Sequence, residues 1–320
     1  MKKMRKSKKM LAFLLTLLFT FSLILPSAAL ARQCSVMDMN FFGWATGKVV
    51  VDPHRGKTYG LFDVNKNWYE ANAFAQSLGG QLVTITSKQE QDLINHLLTY
   101  GKRQYYWMGA SDEEVEGQWG WVTGEPFRYT NWAPGEPNNY GGENYMALLR
   151  TNGLWNDLFG RRNELQISPV TFGLLVEWDF SYNPCLNTPT IYDSSTGNYY
   201  ALYDQGMVWS DAKRFAENHG GHLATITSHR EQNILKFLLA TGKRSFYWLG
   251  GTDEVVEGQW QWITGEPWTY SNWGRNFPNN WGGEDYLKVI NFGDEIGKWV
   301  DSYGAWIGNP ESHGLIVEWK

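Results

Sequence analysis

Residues 112–126 read DEEVEGQWGWVTGEP, and residues 253–267 read DEVVEGQWQWITGEP. This near-identity at an offset of 141 decides the organisation of the chain. The same offset carries Tyr106-Trp107-Met108-Gly109 onto Tyr247-Trp248-Leu249-Gly250, Gly80 onto Gly221 and Trp178 onto Trp319. It slips once. Trp155 matches Trp299 at an offset of 144, so the second copy carries a slightly longer loop just before that residue. Solenoid repeats are far shorter, so two copies at this period are tandem globular domains. They are expected at about 45–180 and 188–320. Residues 181–189, with Pro184 and Pro189, read as a short linker.

Within each copy, helical patterning precedes strand patterning. In residues 68–78, Ala71, Phe74, Ala75 and Leu78 fall on one helical face, and Gly79-Gly80 ends the pattern. Ser87-Lys88-Gln89-Glu90, mirrored by Ser228-His229-Arg230-Glu231, reads as a capping box opening a second helix. Beyond about residue 103 come short aromatic strands and long Gly, Asn and Pro loops, closing on the buried strand Leu174-Leu175-Val176-Glu177-Trp178. Helices followed by strands indicate an α+β fold.

The first 31 residues read as an export signal. Lys2, Lys3, Arg5, Lys6, Lys8 and Lys9 precede an apolar run that Pro26 breaks, and Ala29-Leu30-Ala31 suits a signal peptidase. An uncleaved anchor is the alternative, but the run is short for a spanning helix. The chain has 28 basic and 33 acidic residues; without the signal's six basic residues, the mature protein carries 22 against 33. An acidic surface disfavours nucleic acid and anionic membrane. The expected location is therefore secreted and extracellular, with no membrane association after cleavage. Core mass comes from 18 Trp, 17 Tyr and 16 Phe.

The chemistry concentrates in residues 131–144, NWAPGEPNNYGGEN, and in Trp155-Asn156-Asp157. Glu136, Asn138, Glu143, Asn156 and Asp157 offer three carboxylates and two amides, with no Lys or Arg in the loop. Calcium takes six to eight oxygens of these kinds, whereas zinc favours the Cys and His that this cluster lacks. An amide can give its oxygen to the ion and turn its NH₂ outward, and a carboxylate has a second oxygen to spare. Two neighbouring sugar hydroxyls would then coordinate the ion, donate to Glu136 and Glu143, and accept from Asn138 and Asn156. The place of Tyr140 in the polar loop beside these residues makes it a further candidate sugar contact. Trp119, Trp121 and Trp132 read as core. No nucleophile–base pattern, phosphate loop or CxxC is present, and no paired acid and base carboxylates stand out, so no catalytic residue is assigned.

On Tyr106-Trp107-Met108-Gly109, the triplet Glu136-Pro137-Asn138 and Trp155-Asn156-Asp157, both copies resemble C-type lectin domains over nearly the whole mature chain. The resemblance implies two helices flanking two small, mostly antiparallel sheets, a long calcium-carrying loop and a cis Pro137. It implies that Glu136, Asn138, Glu143, Asn156 and Asp157 ligate calcium and that the first four also touch sugar. In that family Glu-Pro-Asn accompanies mannose, N-acetylglucosamine or fucose. It also implies an auxiliary calcium position at Asp112, Glu116, Asn139, Glu143 and Asn144, and at Asp253, Glu257, Asn280, Glu284 and Asp285 in the second copy. A solvated acidic loop explains those residues equally well.

The second copy departs from the pattern. Phe277 stands where Glu136 stands in the first, and Val300 where Asn156 does, although Asn279, Glu284 and Asp301 remain. Two oxygen ligands are lost, so the sugar-binding calcium site is expected in the first copy alone. Animal members usually carry cysteines inside the domain, and Tyr145 takes the first of those places, which favours a bacterial exported protein. The family brings its termini together, so a Cys34–Cys185 bridge closing the base of the first domain is a further implication. The leading expectation is a calcium-dependent protein that binds glycans or glycoconjugates; the alternative is a secreted adhesin for a cell-surface protein.

Overall fold

The computed structural model describes residues 36–41, 45–52, 54–160, 171–183, 189–304 and 313–320. The export signal and the cysteines at 34 and 185 lie outside them. In the first copy, strands β1 (Met37–Phe41), β2 (Ala45–Asp52) and β3 (Lys57–Phe62) form a meander. Helix α1 (Trp68–Ser77), β4 (Gln81–Leu82) and α2 (Lys88–Leu98) follow. Strands β5 (Tyr105–Ser111), β6 (Gly120–Trp121), β7 (Tyr145–Leu149), β8 (Trp155–Leu158) and β9 (Phe172–Trp178) complete it. The second copy repeats the plan with β10 (Ser181–Asn183), β11 (Thr190–Tyr192), β12 (Tyr199–Tyr203), α3 (Trp209–Asn218), β13 (His222–Leu223) and α4 (His229–Thr241). It ends in β14 (Phe246–Thr252), β15 (Gln261–Trp262), β16 (Tyr286–Ile290), β17 (Trp299–Ser302) and β18 (His313–Trp319).

The α+β class and the two helices per copy agree with the sequence. The sheets differ in one respect. A parallel pairing of β5 with β9, and of β14 with β18, joins what would be two small antiparallel sheets into a single ladder per copy. Residues 181–183 are not linker. They pair with Thr190–Tyr192 as the edge of the second sheet, because the buried Tyr182 gives the segment a core side.

Capping also differs in detail. Ser87 accepts from the Glu90 amide as expected, but the Glu90 carboxylate reaches back to the Thr86 amide at 2.9 Å and hydroxyl at 2.7 Å. The complete reciprocal box opens α1 instead, between Asn67 and Glu70.

The two copies share a core. Phe237 on α4 of the second copy is fully buried among Phe41, Trp178, Phe180 and Tyr182, with ring centroids 5.0–5.6 Å away. A single apolar cluster runs through both copies, and their described residues form one compact unit.

Candidate functional site

Trp155 anchors the loop that follows β6. It is fully buried, its indole nitrogen donates to Gln91 Oε1 at 2.8 Å, and Trp121, Phe127, Tyr129 and Trp132 pack their rings around it. The Trp155 amide donates to Asn131 O and the Ala133 amide to Trp155 O. These bonds lay the start of the loop along β8, so Glu136 comes beside Asn156. The β7–β8 pairing sets Asn156 opposite Ala147 and Asp157 opposite Met146.

Asp157, almost fully buried, clamps the loop's turn. Its Oδ1 accepts from the Asn138 amide at 3.2 Å and its Oδ2 from the Asn139 amide at 2.7 Å. Asn139 adopts a left-handed φ of 47°, a conformation that Asn tolerates better than most residues. The Tyr140 amide then donates to Asn138 Oδ1, which turns the Tyr140 ring outward, 78% exposed. The Glu136–Pro137 bond is cis, in keeping with the resemblance.

Side-chain amides converge on Glu136. Asn138 Nδ2 donates to Glu136 Oε2 at 2.5 Å. Asn156 presents its side-chain oxygen to the same carboxylate; with the amide turned over, its nitrogen donates to Oε1 at 2.8 Å and Oε2 at 3.0 Å. Burial, and then the charges of Asp157 and Glu136, push the Glu143 carboxyl up to about 7. Burial and Asp157 push Glu136 up as well. Glu136, Glu143 and Asp157 stand together without a basic side chain among them, which leaves the site short of positive charge. The amides are integral to it: among the described residues, no three His, Cys, Asp or Glu side chains form a metal-holding group by themselves. The chemistry of the set fits calcium, which accepts amide and carboxylate oxygens together.

The auxiliary set gathers around Asp112. This residue is 3% exposed; Oδ2 accepts from the Gly117 amide at 2.8 Å, and Oδ1 has no hydrogen-bond partner. Asn139 Oδ1 is likewise buried without a partner. Burial, Asp112 and Asp157 raise the Glu116 carboxyl, which ties the two sets together, and the Asp112 amide donates to Asn144 O. In the second copy Asp253 repeats the arrangement, with Gly258 on Oδ2 at 2.9 Å and Oδ1 unpartnered. Burial, Asp253 and Asp285 raise Glu257, and burial and Asp253 raise Asp285. Asn280 departs from its counterpart, since its Oδ1 accepts from the Glu284 amide at 3.0 Å.

The second loop keeps the scaffold and changes its contents. Phe277–Pro278 is cis, Asn280 has a φ of 46°, and the Asn279 and Asn280 amides both donate to Asp301 Oδ2, at 2.7 and 2.6 Å. Phe277 and Val300 nevertheless face a cavity of about 760 Å³ in place of a ring of oxygens. Lys288 also lines that cavity, and sequence reasoning missed it. It occupies the place of Ala147, and only the β16–β17 register, which sets Lys288 opposite Val300, shows that it belongs there. The visible signal was the offset change from 141 to 144, which places Phe292 and a 3-10 turn, Gly293–Glu295, in the cavity wall.

A two-copy α+β fold whose long loop gathers carboxylates and amides defines a lectin-type domain. The family model for the lectin C-type domain matches residues 64–165 and 205–304, more than half of the chain. The chain belongs to the C-type lectin domain family. Rat C-type mannose receptor 2 is 27% identical over 241 residues, covering 73% of this chain and 16% of the receptor. The chain thus spans about a sixth of that relative's length. Perlucin from Haliotis laevigata is 36% identical over 108 residues, 32% of this chain and 70% of perlucin. Among solved structures, the cow CD23 carbohydrate-recognition domain, determined in the presence of a GlcNAc2Man3 oligosaccharide, is 32% identical. That match covers 38% of this chain and 87% of that one, with a TM-score of 0.33. These relatives are animal proteins; the expected bacterial source rests on the missing cysteines alone.

Proposed function

We propose that the first repeat binds carbohydrate through calcium and takes ligands of the mannose, N-acetylglucosamine or fucose type. The observation that carries this reading is the convergence of Asn138 and Asn156 on the Glu136 carboxylate, with Glu143 and Asp157 beside it and no basic group among them. Glu136, Asn138, Glu143, Asn156 and Asp157 would hold the ion. When bound, calcium supplies coordination to two neighbouring hydroxyls of one sugar. The protein's part is orientation: Glu136 and Glu143 accept from those hydroxyls, and the Asn138 and Asn156 amide groups donate to them. A hydroxyl position left without its partner costs about 1–3 kcal/mol, which gives the site its selectivity. Tyr140 stands exposed at the rim, where its ring can cover an apolar sugar face.

Asp112, Glu116, Asn139, Glu143 and Asn144 suit an auxiliary ion, as do Asp253, Glu257, Asn280, Glu284 and Asp285. The buried, unpartnered Oδ1 atoms of Asp112 and Asp253 support this. The site and the leader-like start of the chain together suit a secreted protein acting on extracellular glycoconjugates. Among the described residues no helix is long and apolar enough to cross a membrane. The test is a glycan array probed in calcium and in EDTA, with wild type and Glu136→Ala. Mannose-type binding should vanish in EDTA and in the variant; mannose-type binding that persists in Glu136→Ala would refute the reading.

A further inference from the structure

A second cavity, of about 680 Å³, lies where the two copies meet. Ser77, the last residue of α1 in the first copy, forms one wall. Lys236 on α4, Lys243 and Arg244 just after that helix, and Phe292 and Asp294 form much of the rest. The charges in this space do not balance. Three cations, Lys236, Lys243 and Arg244, face one carboxylate, Asp294. The chain as a whole has 33 acidic and 28 basic residues, so the cavity runs against the sign of the molecule.

Helix ends account for only part of that charge. Lys243 and Arg244 have counterparts in Lys102 and Arg103 of the first copy, and both pairs follow a helix, where cations meet the C-terminal dipole favourably. Lys236 and Lys298 have no such counterparts: Asn95 and Leu154 stand in their places. The Asn95 amide is satisfied, since its Oδ1 accepts from Gln91 Nε2 at 2.8 Å. Lys236 puts an ammonium there that has no hydrogen bond or ion pair among the described residues. Burial, and then the Lys298 ammonium, push Lys236 below the ordinary lysine value. Lys298, whose Nζ donates to Asn272 Oδ1 at 2.9 Å, adds to the positive field.

These groups are held in place before any ligand arrives. The Lys236 stem lies against Gly297, where an added Cβ would come 3.3 Å from Lys236 Cγ. The Lys243 amide donates to Asp204 Oδ1 at 2.9 Å and Arg244 Nε to Asp204 O at 2.7 Å. Asn291 ties the same segment from the other side, through Nδ2 to Arg244 O at 3.0 Å and its amide to Ser245 O at 2.8 Å. Cations fixed in this way lose little freedom on binding.

We propose that this cavity between the copies binds a small organic phosphate monoester, with the Lys236 and Lys243 ammonium groups on the phosphate and the Phe292 ring against the organic part. The lining carries two more positive charges than negative ones, and a phosphate monoester is close to a dianion near neutral pH. Each ammonium offers three donors, and charge-assisted bonds to phosphate oxygens are the strong kind. A neutral ligand would leave the excess charge uncompensated, and a cation would add to it. The cavity is of the size typical for small organic ligands, which leaves room beyond the phosphate, and Phe292 is 52% exposed beside it. The site uses neither copy's sugar-binding residues and does not depend on the calcium reading of the first repeat.

The test is titration calorimetry of phenyl phosphate into the full chain, in EDTA and at fixed ionic strength. One molecule should bind per chain. Lys236→Asn and Lys243→Gln should each weaken binding about tenfold. Phenyl sulfate, with less charge, and inorganic phosphate, with no ring, should both bind more weakly. Phenyl phosphate should also raise the melting temperature of wild type. Lys236→Asn should melt no lower than wild type without ligand, yet lose that rise; a merely structural lysine would leave the rise intact. No binding of phenyl phosphate, binding undiminished in both lysine variants, or phenyl sulfate bound as tightly would overturn the inference. Glu136→Ala should bind phenyl phosphate as wild type does, so failure of this proposal and failure of the first-repeat reading remain distinct.

Discussion

The loops at 131–144 and 272–285 have one backbone and two chemistries. Both carry a left-handed Asn, at 139 and 280, and both are pinned by a buried Asp, at 157 and 301. Both turn an aromatic ring outward, Tyr140 in one and Trp281 in the other. The first gathers Glu136, Asn138 and Asn156, whereas the second opens a cavity walled by Phe277, Val300 and Lys288. Loop shape here is therefore set by the Asp clamp and the Trp-centred packing beneath it, and does not need Glu136 or Asn156. A repeat can lose two of its oxygen ligands and keep the loop.

The most severe test of that comparison moves the second copy's residues into the first. Glu136→Phe with Asn156→Val should abolish calcium-dependent glycan binding, a loss of more than about 100-fold in affinity, while leaving the fold intact by circular dichroism. The reverse transfer is sharper. Phe277→Glu with Val300→Asn should fail to create a calcium site, because the Lys288 ammonium still occupies the space. Adding Lys288→Ala should produce measurable calcium binding by titration calorimetry.

A third test asks whether the two repeats behave as separate bodies. Phe237→Ala removes the ring shared between them and should cost about 3–5 kcal/mol. Denaturant melts should show that loss in one transition if the shared cluster couples the copies, and in the second copy alone if it does not.

The smallest effect concerns pH. Burial lowers Lys288 to about 8, against an ordinary 10.5, although Glu284 and Asp301 oppose the shift. Between those values the unfolded chain binds the extra proton, so wild-type stability should rise with pH relative to Lys288→Met. Parallel melting curves for the two proteins from pH 8 to 10 would contradict this.

The parts of the molecule written in consecutive residues could be read from the sequence. Helices α1 and α2 follow from apolar spacing and polar first turns, and the oxygen donors of the first site fall within 22 residues, from Glu136 to Asp157. Features created by pairing could not be read. Met37–Phe41 alternates apolar and polar residues as a strand should, but its place shows only in its pairing with β2 and in the packing of Phe41 against Phe237 on α4 of the other copy. Residues 181–183 look like a linker until Tyr182 is seen against Phe237. Lys288 sits in an ordinary strand, and its meaning depends on Val300 across the β16–β17 register. The shared core was hidden for the same reason: the repeat suggests two self-sufficient domains, and nothing local to Phe237 marks it as an interface residue.

The central claim is that the first repeat alone carries the calcium-dependent sugar site. Titration calorimetry of a mannoside into the full chain, in calcium and again in EDTA, measures it most directly. The account expects the calcium-dependent part of the binding to correspond to one sugar per chain and to disappear in Glu136→Ala. Two calcium-dependent sugars per chain, or one that survives Glu136→Ala, would contradict it.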